Sequence, residues 1–196
     1  MLVVRDSPFQ VLMVRRNGVG MFADAFVFPG GAVEASDRAT AGIGPDPAED
    51  ARRRAASRET QEEAGIRLER LEPFARWITP VGAPRRWDTW FYLATARAGE
   101  VARPDGAEVL EAVWVEPGLV VDDRERRIVF PTLANLMLLA QSASTAAAFA
   151  AAASRPRLAV VPEVVRSPEG RLARIPPEAG YPIREHFTPA ENDNKS

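Results

Sequence analysis

The chain has 196 residues, 46% of them apolar, a formal net charge of −2 and no cysteine. That length suits one domain with elaborations, and the apolar content is enough to fill a core. The near-neutral charge gives no general attraction to nucleic acid or membrane, and the missing cysteines exclude disulfides and thiolate metal sites, which fits a reducing, cytoplasmic setting.

Leu2–Val4 and Gln10–Val14 are short, apolar and rich in branched residues, so both read as strands, with Asn17-Gly18 breaking the second. No basic stretch precedes an apolar run at Met1–Asp6, so no secretory signal is expected. Ala25–Phe28 reads as another strand, stopped by Pro29-Gly30-Gly31. Glu34 to Asp46 is polar and reads as a loop. Asp46 then caps a helix with Pro47 at its first position and Glu49 completing a capping box; Gly65 ends it in the left-handed conformation. Strands are expected over Phe74–Thr79, Thr89–Ala96 and Val109–Val115.

Residues 128–154 carry no charge, but their polar residues and Pro131 argue against a membrane span. A buried or partner-facing helix is expected, with Leu133, Leu136, Met137 and Ala140 on one stripe. The boundaries are therefore a domain over 1–155 and a proline-rich tail over 156–196 that wraps it. Lys195 is the only lysine, which with the abundant alanine reads as genome-level bias. Arg52-Arg53-Arg54 and Arg124–Arg127 accordingly read as solvated faces.

The run Arg58-Glu-Thr-Gln-Glu-Glu-Ala-Gly65-Ile66 carries the chemistry. On a helix, Glu59, Glu62 and Glu63 share one face. Like charges that close cost about 0.2–0.5 kcal/mol per pair, so such a cluster needs a cation. Oxygen donors select a hard one, with Mg²⁺ or Mn²⁺ the first choice. Upstream, Gly30-Gly31 allows a close backbone approach.

This arrangement resembles the Nudix box, G-x5-E-x7-R-E-U-x-E-E-x-G-U with U aliphatic. Arg58 to Ile66 matches its second half, with Thr60 in place of an aliphatic residue. Gly31 opens the first half, and Asp37 stands where the family has its first glutamate. Gly31 and Glu59 are 28 positions apart, against 15 in the standard pattern. About 13 residues are thus inserted after Asp37, and Glu49 or Asp50 are alternatives for its place. The split box resembles the branch containing the peroxisomal coenzyme A diphosphatase, as do Phe26–Gly31, Trp77–Pro80, Arg85–Thr89 with Phe91-Tyr-Leu93, Ile175–Pro177 and Tyr181-Pro182.

The resemblance implies an α/β fold, the Nudix α/β/α sandwich with a mixed β-sheet, here with an added C-terminal helix and an extended tail. It implies metal-dependent hydrolysis of a diphosphate linkage in a nucleoside-diphosphate-linked compound. Glu59, Glu62 and Glu63 match the metal-ligating glutamates, and the Gly31 carbonyl is a fourth candidate ligand. Arg58 would orient a glutamate. The general base is open between Glu59, Glu108 and Glu111; the latter two stand just before and within the expected strand ending at Val115. His186, the only histidine, is a weak candidate. Arg85, Arg86 and Asp88 form the candidate substrate-binding knot between two strands, and Trp77, Trp87 and Trp90 are candidates to stack on a base. Coenzyme A or an acyl-coenzyme A is the leading substrate, with ADP-ribose and nucleotide sugars as rivals. Two other classes compete: a non-catalytic nucleotide-sensing domain, and a helical interaction module using residues 128–154; a homodimer through that surface would let interaction and hydrolysis coexist.

Overall fold

A computed structural model describes residues 1–20, 22–39, 45–83, 85–97, 99–121, 123 and 125–190. The main sheet has seven strands among these residues. They are β1 (Leu2–Arg5), β2 (Gln10–Arg16), β3 (Phe26–Val27), β4 (Leu68–Ile78), β5 (Asp88–Ala96), β6 (Val109–Val115) and β7 (Ala159–Val160). The sheet is mixed: β1 runs parallel to β5 and β4 parallel to β7, while the other pairings are antiparallel.

Strand β2 carries three partners. Val11 pairs with both Val4 and Val115, and Val14 with both Val27 and Ala112. A strand has two edges, so β6 takes one and the other is shared, by β1 at its start and β3 near its end. The sheet therefore splits where β1 and β3 part, and the Pro29-Gly30-Gly31 turn leaves β3 beside that split.

Two helices open the region after β3: α1 (Ala35–Ala39) and α2 (Pro47–Ala64). α1 lies where a loop was expected. Its Asp37 side chain accepts the Glu34 N–H at 2.9 Å, a local bond that favours a helical turn. α2 starts and stops as its sequence dictates. The Asp46 carboxylate accepts the Glu49 N–H at 2.9 Å, and Gly65 has φ 67°, returning its N–H to the Gln61 carbonyl. Thr60 is fully buried and donates its hydroxyl to the Ala56 carbonyl at 2.8 Å. With that bond made, its methyl replaces the aliphatic side chain at little cost.

Side chains alternate across the strands and fill two cores. Val3, Leu12, Val14, Tyr92 and Ala94 face α2 through Ala64 and Ile66. Leu2, Val4, Val11, Met13 and Leu93 face the other way. That second face is covered by α4 (Phe130–Leu139) and α5 (Thr145–Ser154), which follow the five-residue α3 (Pro117–Val121). The uncharged 128–154 segment thus forms two helices instead of one. Ser144 makes the break by capping α5, accepting the Ala147 N–H at 3.2 Å. Leu136 and Ala134 are fully buried, whereas Ala140 is exposed in the turn.

After Arg155 the chain adds β7 to the main sheet and then forms a separate three-stranded antiparallel sheet. Its strands are β8 (Glu163–Ser167), β9 (Gly170–Arg174) and β10 (Glu185–Pro189). Tyr181 ties this segment down: Trp77 donates to its hydroxyl at 3.0 Å, and that hydroxyl donates to Asn135 at 2.8 Å.

Candidate functional site

The last two turns of α2 point Glu59, Glu62 and Glu63 at the turn after β3. Burial is graded across that face: side-chain exposure is 5% for Glu63, 15% for Glu59 and 56% for Glu62. Glu63 reaches into the split of the sheet. One oxygen accepts the Gly30 N–H at 2.8 Å and the other accepts Arg16 Nη1 at 2.5 Å. Burial nevertheless pushes its carboxyl up to about 7, against the opposing pull of Gly30 and Arg16. Burial raises Glu59 as well, with Arg58 opposing it.

Gly31 lies against the Glu59 carboxylate. A Cβ at this position would stand 2.3 Å from Oε1 and 2.4 Å from Cδ. Glycine here is therefore a matter of space. At Gly30 the reason is conformational, with φ at 153°.

Arg58 organises the cluster. Its Nη1 donates to Glu59 at 2.9 Å and Glu62 at 3.0 Å; its Nη2 donates to the Ala32 carbonyl at 3.1 Å and to Asp37 at 3.0 Å. Nε adds a second bond to Asp37 at 3.3 Å. Asp37 is 5% exposed, and the Arg58 guanidinium holds its carboxyl below the usual range. Of Asp37, Glu49 and Asp50, Asp37 is the one that pairs with Arg58. Glu49 sits ten residues up the helix, roughly 15 Å from Glu59. There it accepts Arg52, Arg53 and the Tyr92 hydroxyl at 3.1, 2.9 and 2.9 Å.

The two candidate bases beside β6 separate. Glu108 accepts Arg16 Nη2 at 3.0 Å, so one guanidinium joins it to Glu63. Glu111 accepts Arg15 Nε at 3.2 Å, and Arg15 also lies 3.6 Å from Asp24. Arg15 and Arg16 are neighbours on a strand and point to opposite faces. Glu111 therefore belongs to the face away from α2. Arg16 itself was missed in the sequence; its only signal was a paired arginine at the end of a strand.

The Arg85, Arg86 and Asp88 knot resolves differently. Asp88 is held by Arg76 across the β4–β5 ladder, with bonds of 2.9 and 2.7 Å. Arg76 and Arg52 stack on Trp90, 4.8 and 4.3 Å from its ring centre. Arg86 donates to the Thr79 carbonyl at 3.1 Å, and Arg85 stacks over Trp87 at 4.1 Å. This group meets α2 at Arg52, eleven residues and roughly 17 Å along the helix from Glu63. Asp88 and the glutamates are thus not in one cluster. Arg52 and Arg53 are tied to Glu49 and to aromatic rings, so they are not the solvated face expected of them. Trp77 is core, packed edge-on against Phe130 and Tyr181. His186 stacks on Phe130 with ring centres 4.9 Å apart, which gives it a packing role.

The donor set fits a hard divalent cation in kind. All its candidate donors are oxygens, and burial disfavours the charged forms of Glu59 and Glu63, a penalty a cation would offset. As placed, no three acidic or histidine side chains among the described residues form a ready cation cage. Arg58, Arg16 and the Gly30 N–H occupy the carboxylates instead, so a cation would compete with Arg58 for Glu59 and Glu62. No helix among the described residues is long and apolar enough to cross a membrane.

A NUDIX domain model matches residues 1–136. Among solved structures, the chain is similar to a NUDIX hydrolase from Alicyclobacillus acidocaldarius, with 24% identity and a TM-score of 0.68 over 76% of this chain and 92% of that one. It is also similar to a NUDIX hydrolase from Nitrosomonas europaea, with 15% identity and a TM-score of 0.50 over 69% of this chain and 81% of that one. No curated protein matches the chain. The match over residues 1–136 takes in the glycine turn, Asp37 and the whole glutamate helix: the chain belongs to the NUDIX domain family, hydrolases that act on nucleoside-diphosphate-linked compounds.

Proposed function

We propose that Glu59, Glu62, Glu63 and the Gly31 carbonyl hold Mg²⁺ or Mn²⁺, and that the protein hydrolyses the diphosphate of a coenzyme A or acyl-coenzyme A. The observation that carries the metal site is Glu63 itself. It is a carboxylate 4% exposed, pushed up to about 7, beside two further glutamates on the same helix face. A bound divalent cation would neutralise the diphosphate and make water a stronger acid.

The chain's own residues divide the remaining work. Glu108 is half of the Arg16 bridge and well exposed, which supports it as the acceptor of the attacking water's proton. The water oxygen forms a bond to phosphorus as the bridging P–O bond breaks, and the leaving phosphate carries away the bond's electrons. Arg16 keeps Glu108 and Glu63 in register, and Arg58 keeps Glu59 and Glu62 in register. Arg85 is exposed and forms no ion pair among the described residues, so it is the arginine best able to meet a ligand phosphate. Arg86 can contribute from the same loop. Asp88 supports this loop through Arg76.

The coenzyme A assignment is supported by sequence motifs alone: the split box, Phe26–Gly31, the Trp77–Leu93 motifs, Ile175–Pro177 and Tyr181-Pro182. A panel of coenzyme A, ADP-ribose, a diadenosine polyphosphate and a nucleoside triphosphate, assayed at millimolar Mg²⁺ or Mn²⁺, tests it. Coenzyme A should give the highest kcat/KM; preference for ADP-ribose would reassign the substrate. No turnover of any member would favour a nucleotide-sensing domain.

A further inference from the structure

On the face of the sheet opposite α2, a cleft of about 210 Å³ opens between β4, α4 and α5. Its walls are apolar at Phe74, Leu138, Leu139, Ala148 and Ala151 and polar at Gln141, Ser142 and Arg155. Arg155 caps the C-terminus of α5. Its guanidinium lies over the Phe74 ring at 4.3 Å, and Nη2 makes a long bond of 3.4 Å to the Phe74 carbonyl. Nε is buried with no hydrogen-bond partner, and no carboxylate among the described residues pairs with the group. Burial lowers its pKa from the ordinary arginine value.

A cation in such a place is incompletely compensated. The Phe74 ring fixes its plane, which leaves the guanidinium edge to meet a planar anion. One guanidinium balances one negative charge, so a monoanion fits better than a phosphate dianion. The apolar part of the wall, at Leu138, Leu139 and Ala148, favours hydrocarbon. An apolar cavity of about 150 Å³ takes a benzene-sized molecule, so this cleft takes roughly six to nine heavy atoms and is too small for a nucleotide.

We propose that this cleft binds a small monocarboxylate bearing a short hydrocarbon chain. Arg155 takes the carboxylate, and Leu138, Leu139 and Ala148 take the chain. The site lies behind the sheet from Glu59–Glu63 and does not depend on the proposed hydrolysis.

Hexanoate, hexan-1-ol and inorganic phosphate are the probes, tested by thermal unfolding of the full chain. At ten times its Kd, hexanoate should raise Tm by about 3 °C. Hexanol and phosphate should give less than a third of that shift. Arg155→Met should abolish the hexanoate shift. Ala151→Phe, at the exposed rim of the cleft, should abolish it too while keeping its own Tm, which covers the case of a poorly folded Arg155 variant. Hexanoate without effect, an equal shift in either folded variant, or a larger shift with phosphate would overturn the proposal.

Discussion

Arg58 and Asp37, twenty-one residues apart, are joined by two hydrogen bonds of 3.0 and 3.3 Å. This pair closes the box across its insertion. Residues between them can vary in number because the guanidinium, with its own bond to the Ala32 carbonyl, holds the glycine turn against the helix. Asp37→Ala removes the acceptor and leaves Arg58 under-paired. The expected loss is about 2 kcal/mol in urea unfolding. A loss below about 0.5 kcal/mol would mean the pair is incidental.

Gly31→Ala places a methyl inside the Glu59 carboxylate. That carboxylate is the far end of a flexible side chain, so it can swing away and the fold survives. Activity should fall at least tenfold while Tm moves by a few degrees at most. Gly118→Ala, whose Cβ would meet nothing within 4 Å, is the control and should be silent in both assays. Unchanged turnover in Gly31→Ala would detach Glu59 from the chemistry.

Glu108 and Glu111 offer a clean comparison because they are three residues apart and on different faces of the sheet. Glu108→Gln should lower kcat by about 10²-fold or more, the usual range for a lost general base. Glu111→Gln should stay within about twofold, since it loses a bond to Arg15 far from the helix glutamates. Equal effects would move the base back to Glu59, and the reverse order would move it to Glu111.

Glu63 predicts a pH dependence of stability. Its folded pKa, about 7, lies above the ordinary carboxyl value of 4.5. A carboxyl raised in this way contributes stability below pH 4.5 and loses it as pH rises through about 7. Without divalent cation, urea midpoints should decline over that window. The contribution at stake is on the order of 3 kcal/mol. Glu63→Gln should flatten the decline, and added Mg²⁺ should offset it in the native chain. A wild-type slope that Glu63→Gln leaves untouched would assign it to another group.

The legible parts of the sequence were the local ones. Asp46, Pro47, Glu49 and Gly65 set both ends of α2 through bonds spanning five residues or fewer. The glutamate spacing needed only the helix period. Arg16 was not legible, because its bonds to Glu63 and Glu108 span 47 and 92 residues and exist only once β2, β6 and α2 have assembled. Asp88 was placed with its sequence neighbours Arg85 and Arg86, whereas the β4–β5 register hands it to Arg76. The 128–154 segment offered no charge pattern to show where one helix ends, and only the Ser144 cap marks it. The strands after Arg155 pair with β4 or with each other, a choice that alternation alone does not reveal.

Metal-dependent hydrolysis by the helix glutamates can be tested on the enzyme itself. The most direct measurement is turnover of the best panel substrate by the native chain and by Glu63→Gln, each titrated with Mg²⁺ and then stripped with a chelator. Native activity should appear with Mg²⁺ and vanish on chelation, and a folded Glu63→Gln variant should show no measurable turnover at any Mg²⁺ concentration. Native activity indifferent to the chelator, or a Glu63→Gln variant that keeps its turnover, would contradict it.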